Sequence, residues 1–232
     1  IELATLLNWL GRPPEAYAAL MGRSFLPWEG GEGKPTAQYA ACLIGQARQH
    51  LAQQNNIAAL DCLNHALDQP HNLGEGKLPS AQENNIHYYL GVAYQTSGDE
   101  AKAIHHYQQA AVGLSEPSSA VFYNDQPPDM IFYQGLARQA LAQLGVGQAA
   151  DATFIFEKLI AYGQAHLNDE VKMDYFAVSL PSFGVFDDDL TLRNRIHCHY
   201  MAGPRYNGLG QKKQGNHHFD EGISHHNSHQ GG

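Results

Sequence analysis

The chain has 232 residues, with 14 Lys and Arg against 23 Asp and Glu, a formal net charge of −9 at neutral pH. That balance argues against a phosphate-gripping surface, since nucleic-acid binders show a basic face, and against an anionic membrane partner. Hydrophobic residues make up 43%, ample for a helical core, and charged residues only 16%. The polar surface therefore leans on Gln, Asn and His. No stretch reaches the roughly 18 uninterrupted apolar residues of a membrane span, and the opening IELATLLNWLGR lacks a basic leader and a cleavage site. Cys42, Cys62 and Cys198 are odd in number, with no CxxC pairing. They read as buried free thiols in a reducing compartment, which points to the cytoplasm.

Taken in chain order, five helix–turn–helix units are expected, at about 1–24, 40–70, 84–117, 131–163 and 196–229. The first places Ala16 and Leu20 after Leu10-Gly11. Gly11 as an interhelix glycine would put Ile1 already inside a helix, with no capping residue ahead of it, so a fragment of a longer protein is expected. The second unit carries the small–large–small trio Ala59, Leu63 and Ala66. The third is the clearest: Leu90-Gly91, Tyr94, Gly98, Ala103, Tyr107 and Ala110 stand at the spacing of a tetratricopeptide repeat of roughly 34 residues. Small residues there let two helices approach, and aromatics fill the groove beside them. The trio returns as Ala150 and Phe154 after Leu144-Gly145, and last in a run from Ile196 with Gly203, Tyr206, Gly210, Gly215, Phe219 and Gly222. Such units bury their apolar faces only by stacking, so the expected fold is all-α, a right-handed superhelix of tetratricopeptide-like repeats with long loops between them. The domain reading is a single array over 1–232. Pro204 inside the last unit removes a helix hydrogen bond at a cost of about 3 kcal/mol, and Gly215 and Gly222 stand where Ala is wanted. That unit is expected to be kinked or marginally folded.

Three connections are longer than a plain array needs. Gly31-Glu32-Gly33-Lys34 returns as Gly74-Glu75-Gly76-Lys77, 43 residues on (74 minus 31). This is not a phosphate loop: Trp28 and His71 stand where Gly is required, and Pro35 and Leu78 follow the lysines. Turn formation is the favoured reading, with Trp28, Glu29, Glu32 and Glu75 a weaker candidate for a rim shared by stacked loops. The third connection, Ser115 to Asp129, holds Tyr123, Asn124 and Asp125, residue types suited to a polar ligand such as a sugar. Turn chemistry ahead of Pro127-Pro128, with Asp129 capping the next helix, is preferred. An extra helix is expected at about 169–180, ended by Pro181. The acidic run Asp187-Asp188-Asp189 lacks the calcium-loop spacing and reads as a helix cap. Fourteen histidines crowd the chain. His225 and His229 could face one metal from a helix, but no third ligand joins them at a diagnostic spacing, so no metal site and no cofactor are expected.

In stacked repeats the first helices line a concave face. That assigns the groove to Asn85, Tyr88, Val92 and Gln95 in the third unit, to Ala41, Ile44, Arg48 and Leu51 in the second, and to His197, Tyr200 and Asn207 in the fifth. Polar amides, tyrosines and one arginine would suit an extended peptide or a neighbouring domain.

The strings PWEGGEGK (27–34), NLGEGKLPSAQENNIHYYLG (72–91), YNDQPPDMIFYQGLA (123–137) and DEVKMDYFAVSLPSF (169–183) with FDDDL (186–190) carry a further signal. Together they resemble the C-terminal repeat region of a family of large, mostly bacterial tetratricopeptide-repeat proteins with an N-terminal β-rich domain of unknown function. The resemblance implies that any catalytic part lies upstream, and it carries no catalytic residues over to this region. The expected function is a non-catalytic scaffold for a peptide, a partner protein or the parent's own N-terminal domain, with no nucleic-acid or membrane partner. The alternative is an accessory part of a carbohydrate-active enzyme whose loops complete a sugar site.

Overall fold

The computed structural model describes residues 1–27, 31, 33–77, 81–119, 128–171 and 189–229. Among them are ten α-helices, one 3₁₀ turn (His71–Leu73) and no strand. The helices come as hairpins: α1 (Glu2–Trp9) with α2 (Pro13–Met21), α3 (Lys34–Ala52) with α4 (Asn56–Ala66), α5 (Asn84–Thr96) with α6 (Glu100–Ala110), α7 (Pro128–Gln143) with α8 (Ala149–His166), and α9 (Leu190–Gly208) with α10 (Lys212–His229). Residues 169–171 are not helical, and the rest of the helix expected at 169–180 lies outside the described residues.

The chain divides into two compact units, Ile1–Val112 and Gly113–Gly232. In the first, α2 packs on α3, α4 packs on α5, and the first helices α1, α3 and α5 meet in succession. In the second, α8 packs on α9, and α7 also meets α9. The described residues thus form an all-α architecture in which, within each unit, hairpins pack in chain order, compatible with a helical repeat.

The turns inside the hairpins explain why the chain reverses there. Each connection has three residues, for example 97–99 between α5 and α6, except 144–148 between α7 and α8, which has five. The reversal needs one residue in the left-handed region, and Gly11 (φ 69°), Gly98 (φ 82°) and Gly210 (φ 75°) supply it without a Cβ penalty. Gln54 fills the same place in the second hairpin at φ 58°. Asn55 and Asp99 then cap the following helices, their side-chain oxygens accepting from Ala58 N at 3.3 Å and Lys102 N at 3.1 Å. Asp189 caps α9 in the same way, accepting from Leu192 N at 2.9 Å. Asp129 lies within the first turn of α7 rather than ahead of it.

Five residues after each left-handed residue comes the small residue at which the helices touch. Ala16 (16 minus 11), Ala59 (59 minus 54) and Ala103 (103 minus 98) are all fully buried. In the fourth hairpin the expectation fails by two places. Phe154 is 66% exposed, whereas Ala152 and Phe156 are buried. The two extra connecting residues carry the register past Gly145 to Gly147, itself left-handed at φ 98°, and five residues beyond Gly147 is Ala152.

At Gly91 the close approach is explicit. A Cβ there would lie 2.5 Å from the ring of Tyr107, which is 1% exposed. Tyr107 keeps its hydroxyl satisfied by donating to Gln95 Oε1 at 2.7 Å. Asn84, also buried, donates to the Ala110 and Val112 carbonyls at 2.8 and 2.7 Å and so closes the end of α6.

Pro204 leaves α9 as one helix from Leu190 to Gly208. The Tyr200 carbonyl, four residues back, loses its backbone donor to the proline. Arg205 Nη1 donates to that same oxygen at 2.5 Å. The guanidinium is fully buried, 4.8 Å from the Phe132 ring and 5.4 Å from the Tyr200 ring. Burial pulls it below its ordinary basicity, against the nearby Tyr200 and Asp129.

Candidate functional site

In the first unit α5 carries Asn85, Tyr88, Val92 and Gln95 at helical spacing, so they share one side of the helix. None is fully buried, while Ile86, Leu90 and Ala93 on the opposite side are. Tyr88 is half-buried, its ring 5.3 Å from Tyr89 and 6.0 Å from Tyr107. Burial pushes its phenol above the ordinary tyrosine range. Gln95 is exposed and anchored by the Tyr107 hydroxyl. The Asn85 side chain accepts from Ile86 N at 2.8 Å. From α3 the exposed Arg48 reaches across to α5, its guanidinium 5.9 Å from the Tyr89 ring. Arg48, Tyr89 and Tyr88 therefore make one cationic-aromatic patch, with the amides of Asn85 and Gln95 on the same helix face.

In the second unit the two candidates on α9 differ. His197 is buried, with a ring nitrogen 3.2 Å from the Ser118 carbonyl, so it is a packed residue and presents no free ring. Tyr200 is 43% exposed and donates its hydroxyl to Asp129 Oδ1 at 2.6 Å. Burial first, then the Asp129 carboxylate, drives that phenol above its ordinary range. These two residues hold Ser118 and Asp129, which belong to the third long connection. Trp28, Glu29, Tyr123, Asn124 and Asp125, the loop-rim candidates, lie outside the described residues, as does Glu32.

The duplicated glycine loops do meet within the first unit. Glu75 Oε2 accepts from Gly33 N at 2.8 Å, Phe25 N donates to the Asn72 carbonyl at 2.7 Å, and the Asn72 amide donates to Leu20 and Arg23 carbonyls at 3.2 and 2.9 Å. A Cβ at Gly74 would stand 2.3 Å from the Phe25 carbonyl. Lys77 pairs with Glu83 at 2.6 Å. These loops clamp one hairpin to the next, a role their repetition hinted at but their composition did not.

Cys42 and Cys198 are buried and Cys62 half-buried, all three as free thiols. Burial pushes their thiols up, Cys198 to about 11, so none is primed as a nucleophile. Among the described residues no three His, Cys, Asp or Glu side chains converge, and no helix is long and apolar enough to cross a membrane. The side chains of His225, His226 and His229 are outside the described set. The residue pattern missed two features: the buried Arg205 under Pro204, and a pair of histidine contacts at corresponding places in α5/α6 and α9/α10. No protein-family model matches the chain, and no solved structure matches it significantly.

Proposed function

We propose that this chain is a non-catalytic interaction scaffold, a right-handed superhelix of tetratricopeptide-like repeats whose first helices line a groove for an extended peptide or partner domain. One observation carries the reading. The patch in which Arg48 of α3 reaches Tyr89 of α5, beside the half-buried Tyr88 and the amides of Asn85 and Gln95, spans two successive first helices and keeps polar and aromatic groups at least partly exposed. Side-chain amides match the donors and acceptors of a peptide backbone, and an aromatic pair beside one guanidinium suits a side chain carrying a carboxylate or a ring. The net charge of −9 and the single arginine fit a protein partner better than a polyanion. The resemblance to large, mostly bacterial repeat proteins makes the parent's own N-terminal domain one such partner, and free buried thiols fit the cytoplasm.

Selection from a random peptide display library against the whole chain tests this. Enriched peptides should lose at least about tenfold in affinity to Arg48→Ala and to Tyr88→Ala, since interface hot spots cost 1–2 kcal/mol or more. Circular dichroism should show both variants folded. Peptides that bind both variants as well as the parent chain would overturn the groove assignment.

A further inference from the structure

Two histidine pairs stand at equivalent places in the third and fifth hairpins. His87 on α5 meets His106 on α6, Nδ1 to Nδ1, at 3.1 Å, and His199 on α9 meets His218 on α10 at 3.0 Å. Both members are displaced by 112 residues (199 minus 87 and 218 minus 106). A tyrosine covers each pair. Tyr94 stacks on His106 with centroids 5.3 Å apart and planes 2° apart, and Tyr206 stacks on His218 at 5.3 Å and 12°. The tyrosines keep the same displacement (206 minus 94). An accident of one packing arrangement would not reproduce three residues and two contacts in a second hairpin whose neighbours differ.

We propose that each pair is an acid-sensitive latch, closed while its two rings share at most one extra proton and opened when both are charged. In the neutral pair one ring donates its Nδ1–H to the lone pair on the other Nδ1. A first added proton goes to the Nε2 of the donor ring and leaves that hydrogen bond in place. A second must occupy the accepting Nδ1. The bond is then lost, and two imidazolium rings face each other at about 3 Å in buried or half-buried surroundings that screen their repulsion less than bulk water does.

The surroundings set where each latch opens. Around the first pair lie Lys77, itself bound to Glu83, the ring of His105 at 5.3 Å from His106, and Lys102, 5.0 Å from the Tyr94 ring. Burial lowers both members, His106 to about 4; Lys77 and then His105 lower His87 further, and His87 and then His105 lower His106 further. Burial and His217 lower His218, but Glu221 works the other way and eases its protonation. A folded-state value below the unfolded value of about 6.5 means stability that is present above that pH and is lost as pH falls. The window for the first latch therefore runs from about 6.5 down to about 4.

Thermal unfolding of the whole chain at pH 7.5 and pH 5.0 tests this, with His87→Phe/His106→Phe and His199→Phe/His218→Phe beside the parent chain. Phenylalanine keeps the ring stack and cannot take a proton. Each double variant should lose less stability on acidification than the parent, by on the order of 5 °C in Tm. An equal loss in parent and variants overturns the latch. If a double variant does not fold, NMR titration of the ring protons in the unaltered chain decides. Two separate steps for His87 and His106, the lower at least about one pH unit under 6.5, support the proposal, and ordinary midpoints for both overturn it.

Discussion

Gln54 holds a left-handed backbone in a hairpin turn where three sister turns have glycine. A side chain in that region costs about 1–2 kcal/mol. Gln54→Gly should therefore stabilise the first unit by about 0.5–1 kcal/mol, the strain relieved less the added entropy of the unfolded chain. Urea unfolding should show the midpoint rising with an unchanged slope, and a falling midpoint would mean the Gln54 side chain contributes a contact that outweighs the strain. Gly91 is the opposite case. Its missing Cβ leaves room for the Tyr107 ring, so Gly91→Ala should overpack the joint and lower stability by about 1–3 kcal/mol. Tyr107→Leu in the same background should recover part of that loss, and the four proteins compared by urea unfolding would show whether the two sites are coupled.

At the scale of the helix, α9 persists through Pro204 because Arg205 supplies the donor the proline lacks. Removing the guanidinium leaves the part-buried Tyr200 carbonyl without that donor, and an unpaired buried polar group costs about 1–3 kcal/mol. Arg205→Met should destabilise the second unit by that order. With Pro204→Ala already in place the backbone N–H returns, and the same substitution should cost at least about 1 kcal/mol less. A strictly additive double-mutant cycle would show that Arg205 acts only through its rings, Phe132 and Tyr200. The interhairpin loops belong to this scale too. Glu75→Ala removes the acceptor for Gly33 N, and faster amide exchange at Gly33 than in the parent chain is the expected readout.

For the whole molecule, the division into Ile1–Val112 and Gly113–Gly232 has an energetic counterpart. The larger core cluster, from Ala4 to Ala93, closes within the first unit, and Ile131, Ile155, Leu159 and Met201 form a cluster of their own in the second. A fragment comprising residues 1–112 should fold by itself, with a helical circular dichroism spectrum and one cooperative thermal transition. A broad, non-cooperative melt would show that its core depends on the remainder. A chain built of stacked hairpins tolerates this because each hairpin is stabilised chiefly by its neighbours in sequence.

The amino-acid sequence determined the hairpins of this protein. Spaced small residues and turn glycines act within a few positions, so the spacing of Gly98, Ala103 and Tyr107 was enough to mark a turn and a joint. The same local logic misread the fourth hairpin, because a turn lengthened by two residues changes register without changing composition. Only the tertiary structure decided which side chains meet across distance. It buried His197, placed Arg205 under the carbonyl that Pro204 orphans, joined Glu75 to Gly33, and brought His87 to His106 and His199 to His218. Those contacts depend on where helices cross, and crossing geometry is set by the summed packing of many side chains, which no short stretch of sequence contains.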